Sequence, residues 1–355
     1  MSMSKVSSIF LTLILGFMGG VVLYFLTMPL PWILGSLICI AGLSLWGHLK
    51  LVIPVNFRQA MLAVLGVLLG SGFQAGSAST ISGWTITLLG VLVLVFTQLL
   101  CSQVILKFLM SKHNFATRYF GGTAGGLLEM SIMARERGGD DRAVMVLHTM
   151  RVLLIVIFVP LYFRIFEGYT GANMSQSTGG LLELSLIDAS LLIAAALFGY
   201  YGGKWVKLPA HALTGPLVIS GIFHYMGWTT AQPPFVLVVF AQIVVGCSLG
   251  TRFSGYSLRR IKALFVPSMA LSVIFIGLAV LFAWVLWRMT GLPFYGIMLG
   301  FVPGGMIEMC LIALALNIDV GFVTTHALFR AMLVFTFAPI LYPIFMKVRT
   351  ITHGK

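Results

Sequence analysis

The chain has 355 residues, of which 59% are hydrophobic and only 9% charged, and it carries a formal net charge of +13. That balance excludes an ordinary soluble domain and points to an all-α polytopic membrane protein with the lipid bilayer as its first partner. The basic residues are scattered over short loops and form no stripe interleaved with aromatics, so no nucleic-acid partner is expected.

In chain order the apolar segments run over 9–26, 30–46, 57–74, 82–109, 119–134 and 143–165. They continue over 186–203, 210–227, 235–251, 263–287, 293–316 and 320–346. The segments are uniformly apolar rather than alternating, which argues against a β-barrel. The first follows Lys5 but ends in the bulky Leu26-Thr27-Met28-Pro29, with no small-residue cleavage site, and is expected to be a retained helix. Cys39, Cys101, Cys247 and Cys310 lie in or beside apolar segments without C-x-x-C spacing, as small buried hydrophobes do.

The second six segments repeat the first. Gly121-Gly-Thr-Ala-Gly125-Gly126-Leu-Leu-Glu129-Met130, followed by His148, Arg151 and Pro160, returns as Gly300-Phe-Val-Pro303-Gly304-Gly305-Met-Ile-Glu308-Met309, followed by His326, Arg330 and Pro339. Upstream, Gly35, Gly66, Gly70 and Phe73 return as Gly215, Gly246, Gly250 and Phe253. This is an internal duplication: repeat 1 over 1–165, a polar linker over 166–185, and repeat 2 over 186–355.

Charge sets the expected topology. The 47–58 loop carries Lys50 and Arg58 while its counterpart at 226–234 carries no Lys or Arg. The 74–83 loop carries none while its counterpart at 252–262 carries Arg252, Arg259, Arg260 and Lys262. Equivalent loops have opposite bias, so the repeats are expected to be inverted, each with about five crossings plus one re-entrant or broken segment at the glycine pair. That arrangement puts most of the 22 Lys and Arg, and both termini, on the cytoplasmic side. Inverted repeats with paired broken segments are the architecture of many secondary transporters.

The candidate chemistry lies where charge is expensive. Arg151 and Arg330 stand nine or ten residues into their segments, roughly 14 Å deep and near the middle of a ~30 Å core. A guanidinium there needs a carboxylate, backbone carbonyls or a bound anion. The available carboxylates are Glu129 and Glu308, and a purely structural Arg–Glu lock is the alternative to a substrate path. His148 and His326 precede the arginines by three and four residues, on the same helix face, and a Glu–His–Arg cluster suits proton coupling. Gly125, Gly126, Gly304 and Gly305 mark either half-helix starts that could hold an anion or tight helix crossings. Gly66, Gly70, Gly246 and Gly250 form small-xxx-small packing faces. Asp140 and Asp319, at the start of the last segment of each repeat, are expected to be helix caps.

With these motifs laid out, the chain resembles the AbrB-like integral membrane family. Leu30-Pro31-Trp-Ile-Leu-Gly35 and Leu208-Pro209-Ala-His-Ala-Leu-Thr-Gly215-Pro216 extend the likeness to nearly the whole chain. The resemblance implies a duplicated protein of the bacterial cytoplasmic (inner) membrane, whose relatives carry the labels of regulator or of ammonia monooxygenase. The seven histidines are too scattered for copper or iron chemistry, so no metal, cofactor or catalytic residue is expected, and the chain is read as a non-enzyme. The expectation is a transporter of a small anionic metabolite, held at Gly125, Gly126, Gly304, Gly305, Arg151 and Arg330. Glu129, Glu308, His148 and His326 would couple its passage to protons. The alternative is a membrane-embedded regulator or scaffold that transports nothing, and a homo-oligomer is a further expectation left open.

Overall fold

The structure, a computed structural model, describes residues 5–47, 49–73, 83–168, 184–208 and 210–353, with side chains to residue 347. Most of the linker, residues 169–183, and Pro209 lie outside the described residues. Repeat 1 folds into α1 (Lys5–Phe25), α2 (Pro31–Trp46), α3 (Val55–Gly70), α4 (Thr85–Leu109), α5 (Phe115–Gly122), α6 (Leu127–Glu136) and α7 (Asp141–Glu167). Repeat 2 returns the same order as α8 (Leu186–Trp205), α9 (His211–Tyr225), α10 (Phe235–Gly250), α11 (Leu258–Thr290), α12 (Phe294–Phe301), α13 (Met306–Ala315) and α14 (Val320–His353). Among the described residues there is no strand. Among the described residues, seven helices, α1, α4, α7, α8, α10 with the turn that follows it, α11 and α14, are long and apolar enough to cross a bilayer, and α2, α3 and α13 are shorter apolar helices. The segments expected at 119–134 and 293–316 are each broken into two short helices around their glycine pair.

The duplication reaches into backbone conformation. Thr27 (φ 53°) and Leu30 (φ 48°) adopt the left-handed region before α2, and Lys207 (φ 58°) and Ala210 (φ 50°) do so before α9. Non-glycine residues seldom sit there, so the same strained entry turn is built twice from unlike side chains. Gly138 (φ 74°) and Asn317 (φ 53°) repeat the match between the broken helices and the long helix that follows each.

The chain divides into two compact units, each drawing helices from both repeats. The first contains α1–α3, α8–α10, the end of α7 from Ile157, and residues 307–321, which carry nearly all of α13. Here glycine permits backbone to touch backbone. A Cβ on Gly66 would collide with the Leu213 carbonyl and one on Gly70 with that of Leu217. In the counterpart contact, Gly246 meets the Ile33 carbonyl and Gly250 that of Leu37. Residue numbers rise together in both contacts, so α3 runs parallel to α9, and α10 parallel to α2.

After α2 the chain doubles back. Leu51 packs on Ile40, and the Val52 N–H donates to Thr12 Oγ1 at 3.1 Å, in the middle of α1. Helix α3 therefore leaves in the direction opposite to α2. Since α9 follows α3, it opposes its own counterpart α2, and the repeats are inverted. The second unit contains α4–α6, α7 to Val156, α11, α12 and α14 from Phe322. Within it Gly90 of α4 lies against Leu286 of α11, the Phe96 and Phe337 rings meet at 5.4 Å, and Tyr119 Oη donates to the Ala338 carbonyl at 2.9 Å.

Candidate functional site

Helix α5 begins at Asn114, whose Oδ1 accepts from Thr117 N at 2.9 Å, and stops after two turns at Gly122. Its last carbonyls have no helical partner, and a half-helix ending inside a membrane protein must find donors elsewhere. The donors come from α7. Arg151 Nη1 donates to the Thr123 carbonyl at 2.6 Å, and His148 Nε2 donates to the Phe120 carbonyl at 2.8 Å. In repeat 2, Arg330 Nη1 donates to the carbonyls of Phe301 at 2.8 Å and Gly300 at 3.3 Å, at the end of α12. Each arginine thus lies at the negative end of a half-helix dipole, a placement worth about 0.3–1 kcal/mol at exposed sites and up to about 2 where partly buried. Of the three counter-charges considered for the arginines, backbone carbonyls are the ones observed.

In repeat 1 that leaves the charge only partly offset. Arg151 is 2% exposed, its Nε has no hydrogen-bond partner, and its remaining neighbour of note is the Phe275 ring at 5.6 Å. No carboxylate among the described residues lies within 4 Å of it. Arg330, itself 6% exposed, is near enough for the two guanidinium charges to repel.

The two histidines differ. The Phe120 carbonyl can only accept, so His148 carries its proton on Nε2 when neutral, and its buried ring also lies against the Gly125 backbone. His326 Nδ1 donates to the Phe322 carbonyl at 2.7 Å, while its Nε2 meets Thr87 Oγ1 at 2.8 Å. Thr87 Oγ1 also lies 2.8 Å from the Trp84 carbonyl. With His326 neutral, the Thr87 hydroxyl donates to Nε2. With His326 protonated, Nε2 donates to Thr87 and the hydroxyl turns to Trp84. Both protonation states are satisfied by one small rotation.

The repeat 1 glycine pair is closely packed. Gly126 has φ −68° and ψ 140°, extended backbone open to any residue, and none of the four glycines has positive φ. A Cβ on Gly125 would press on Val334, and one on Gly126 on the Phe335 ring and the Glu129 carboxylate. Glu129 is the third residue of α6, folded back over the residue that precedes the helix, and is otherwise exposed. The start of α6 therefore already carries a carboxylate. Glu308, third in α13, is 2% exposed and lies in the first unit, where the cation whose charge it feels is Arg252, just after α10. Arg58 of α3 is the cation next to Arg252.

Nine of the ten candidate residues, all but Glu308, therefore belong to the second unit. Asp140 caps α7, its Oδ1 accepting from Ala143 N at 3.0 Å. Arg118 is 8% exposed within α5. Sequence reasoning also missed Gln98 of α4, 1% exposed, with neither amide atom partnered.

Residues 32–346 match the family described as "Transition state regulatory protein AbrB". The chain belongs to the AbrB family. It is 25% identical over 351 residues to "Uncharacterized protein YhjN" of Bacillus subtilis (strain 168), covering 91% of this chain and 89% of that protein. It is 24% identical over 301 residues to "Putative regulator AbrB" of Escherichia coli (strain K12), covering 83% and 84%. No solved structure matches it. Membership of the AbrB family fits the duplicated helical architecture, and the family description names no substrate.

Proposed function

We propose that this AbrB-family protein is a secondary transporter of a small anionic metabolite, coupled to protons, in the bacterial cytoplasmic membrane. One observation carries the reading: two buried arginines, one per repeat, stand close together in one unit at the ends of two broken helices. The half-helix end offsets the buried Arg151 charge only in part, and the Arg330 charge adds to it. An anion completes the balance. His326 supplies a titratable group whose hydrogen bonds tolerate both states, and Glu308 supplies a buried carboxylate in the other unit.

The test is charge movement in proteoliposomes across a panel of small carboxylates and inorganic anions, with and without a pH gradient, alongside Glu308→Gln and Arg330→Gln. The expected result is a ligand-dependent current lost in both variants. Silence across the panel from folded protein overturns the transport reading. The name of the Escherichia coli relative favours a second reading, a membrane-embedded regulator acting indirectly on gene expression. On that reading Arg330→Gln lowers stability and no flux exists to lose.

A further inference from the structure

Each repeat ties the loop after its second helix back onto its first helix, and the two ties use different chemistry. In repeat 1 the Val52 N–H donates to Thr12 Oγ1 of α1, and Thr12 Oγ1 itself donates to the Ser8 carbonyl at 2.6 Å. In repeat 2 the loop between α9 and α10 is held at two points. Thr229 Oγ1 donates to Asp188 Oδ1 of α8 at 2.6 Å, and His224 Nε2, in the last turn of α9, lies 2.9 Å from the Ala231 carbonyl. By the correspondence that pairs Gly35 with Gly215, Asp188 stands where repeat 1 has Ser8, and His224 where it has Ser44. The second tie is built from two titratable groups where the first repeat has two serines.

Both nitrogens of His224 face oxygens that can only accept. Nδ1 lies 2.8 Å from the Ser220 carbonyl, one turn back on α9, and Nε2 faces Ala231. An imidazolium donates to both, whereas either neutral tautomer turns one lone pair on a carbonyl oxygen. The Ser220 hydroxyl, 3.4 Å from Nδ1, is committed to the Val67 carbonyl at 2.8 Å and does not relieve the mismatch. The Asp188 charge reaches the ring from α8, and Tyr225 follows it on α9. Residues 67–73 and 226–234 bring no titratable side chain. The same loop carries Gln232, whose Oε1 is buried without a partner, so closure has a cost that opening relieves.

We infer that His224 and Asp188 form a proton-operated clasp on the non-cytoplasmic face of the first unit, closed when His224 is charged and released when it is neutral. The side follows from the loop charges, which place the 226–234 loop opposite the loop of Lys50 and Arg58. When closed, the clasp fixes the chain just before Pro234, the residue that opens α10, whose Gly246 and Gly250 seat on α2. Acid outside holds this entry, and rising pH lets it go. The clasp stands whether or not the protein transports.

The test is electron paramagnetic resonance of a spin label on Thr230→Cys, an exposed loop position, in full-length protein with its four native cysteines replaced. In detergent the label's mobility is expected to rise from about pH 5 to about pH 8, with a midpoint in the imidazole range. His224→Gln, which keeps a donor for Ala231 but cannot titrate, is expected to remove the transition. Asp188→Asn, which still accepts from Thr229 but carries no charge, is expected to move it to lower pH. In right-side-out membrane vesicles, external pH alone should produce the response.

A label equally mobile across the range in the parent protein, a transition indifferent to both substitutions, or a response to internal pH alone overturns the inference. So does a uniform change at every pH in His224→Gln with the transition retained, which would mark a merely structural contact. Should His224→Gln fail to fold, the shift in Asp188→Asn decides.

Discussion

A guanidinium cannot shed its proton inside a membrane, so its neighbours report what it is for. Arg151 and Arg330 were legible in the sequence because charge in an apolar run stands out and because it recurs at a fixed interval. Their partners were not legible, since a backbone carbonyl carries no residue-type signal. Gln98 escaped for a different reason. It is uncharged, sits among Thr97, Ser102 and Gln103, and has only Gly277 and Leu278 at the corresponding place in repeat 2. A polar amide in a helix that must cross a bilayer was the available clue. At this scale His326 is the sharper test of proton coupling. His326→Gln keeps a polar group but cannot titrate. Flux measured from about pH 5 to 8 should vary with pH in the parent protein and become flat in the variant. An unaltered pH profile would assign the coupling to another group.

Among the helices, glycine decides which surfaces can meet. The small-xxx-small spacing at Gly66 and Gly70, and again at Gly246 and Gly250, was read as packing, and carbonyl contacts from α9 and α2 fill those grooves. The helix breaks at the glycine pairs were also readable, but the reason for those residues was not. Periodicity does not reveal that Gly125 and Gly126 lie beneath Val334 and Phe335 of α14. Gly66→Leu should force α9 off α3 and cost about 1–3 kcal/mol, seen as a lowered melting temperature in detergent. Gly42→Ala is the control, because a Cβ there meets nothing within 4 Å, and it should be neutral or slightly stabilising. Equal loss in both variants would mean that helix propensity, rather than the crossing, sets the outcome.

For the molecule as a whole, inversion was foreseen from loop charges and is recovered from helix directions, two independent routes. The division into units was not foreseen, because an interval in sequence says which residues correspond and nothing about which helices pack together. Topology gives a direct check. In a background with the four native cysteines replaced, Lys50→Cys and Arg259→Cys should both react with an impermeant thiol reagent from the cytoplasmic face alone. The alternative with parallel repeats places residue 259 on the far side, so labelling of that position from outside would exclude the inverted arrangement.

The reciprocal seating of α3 on α9 and of α2 on α10 bears on how the chain is made. When α2 and α3 leave the translocation machinery, the surfaces that fill their grooves have not been synthesised, and about 150 to 200 further residues must follow. Until then the glycine-lined faces of the first repeat stand open in the lipid, and the interdigitated pairs can close only in the order that repeat 2 emerges. Neither repeat is a folding unit by itself. The ancestral single copy, lacking a covalent sequel, would have needed a second molecule inserted upside down beside it to reach the same contacts.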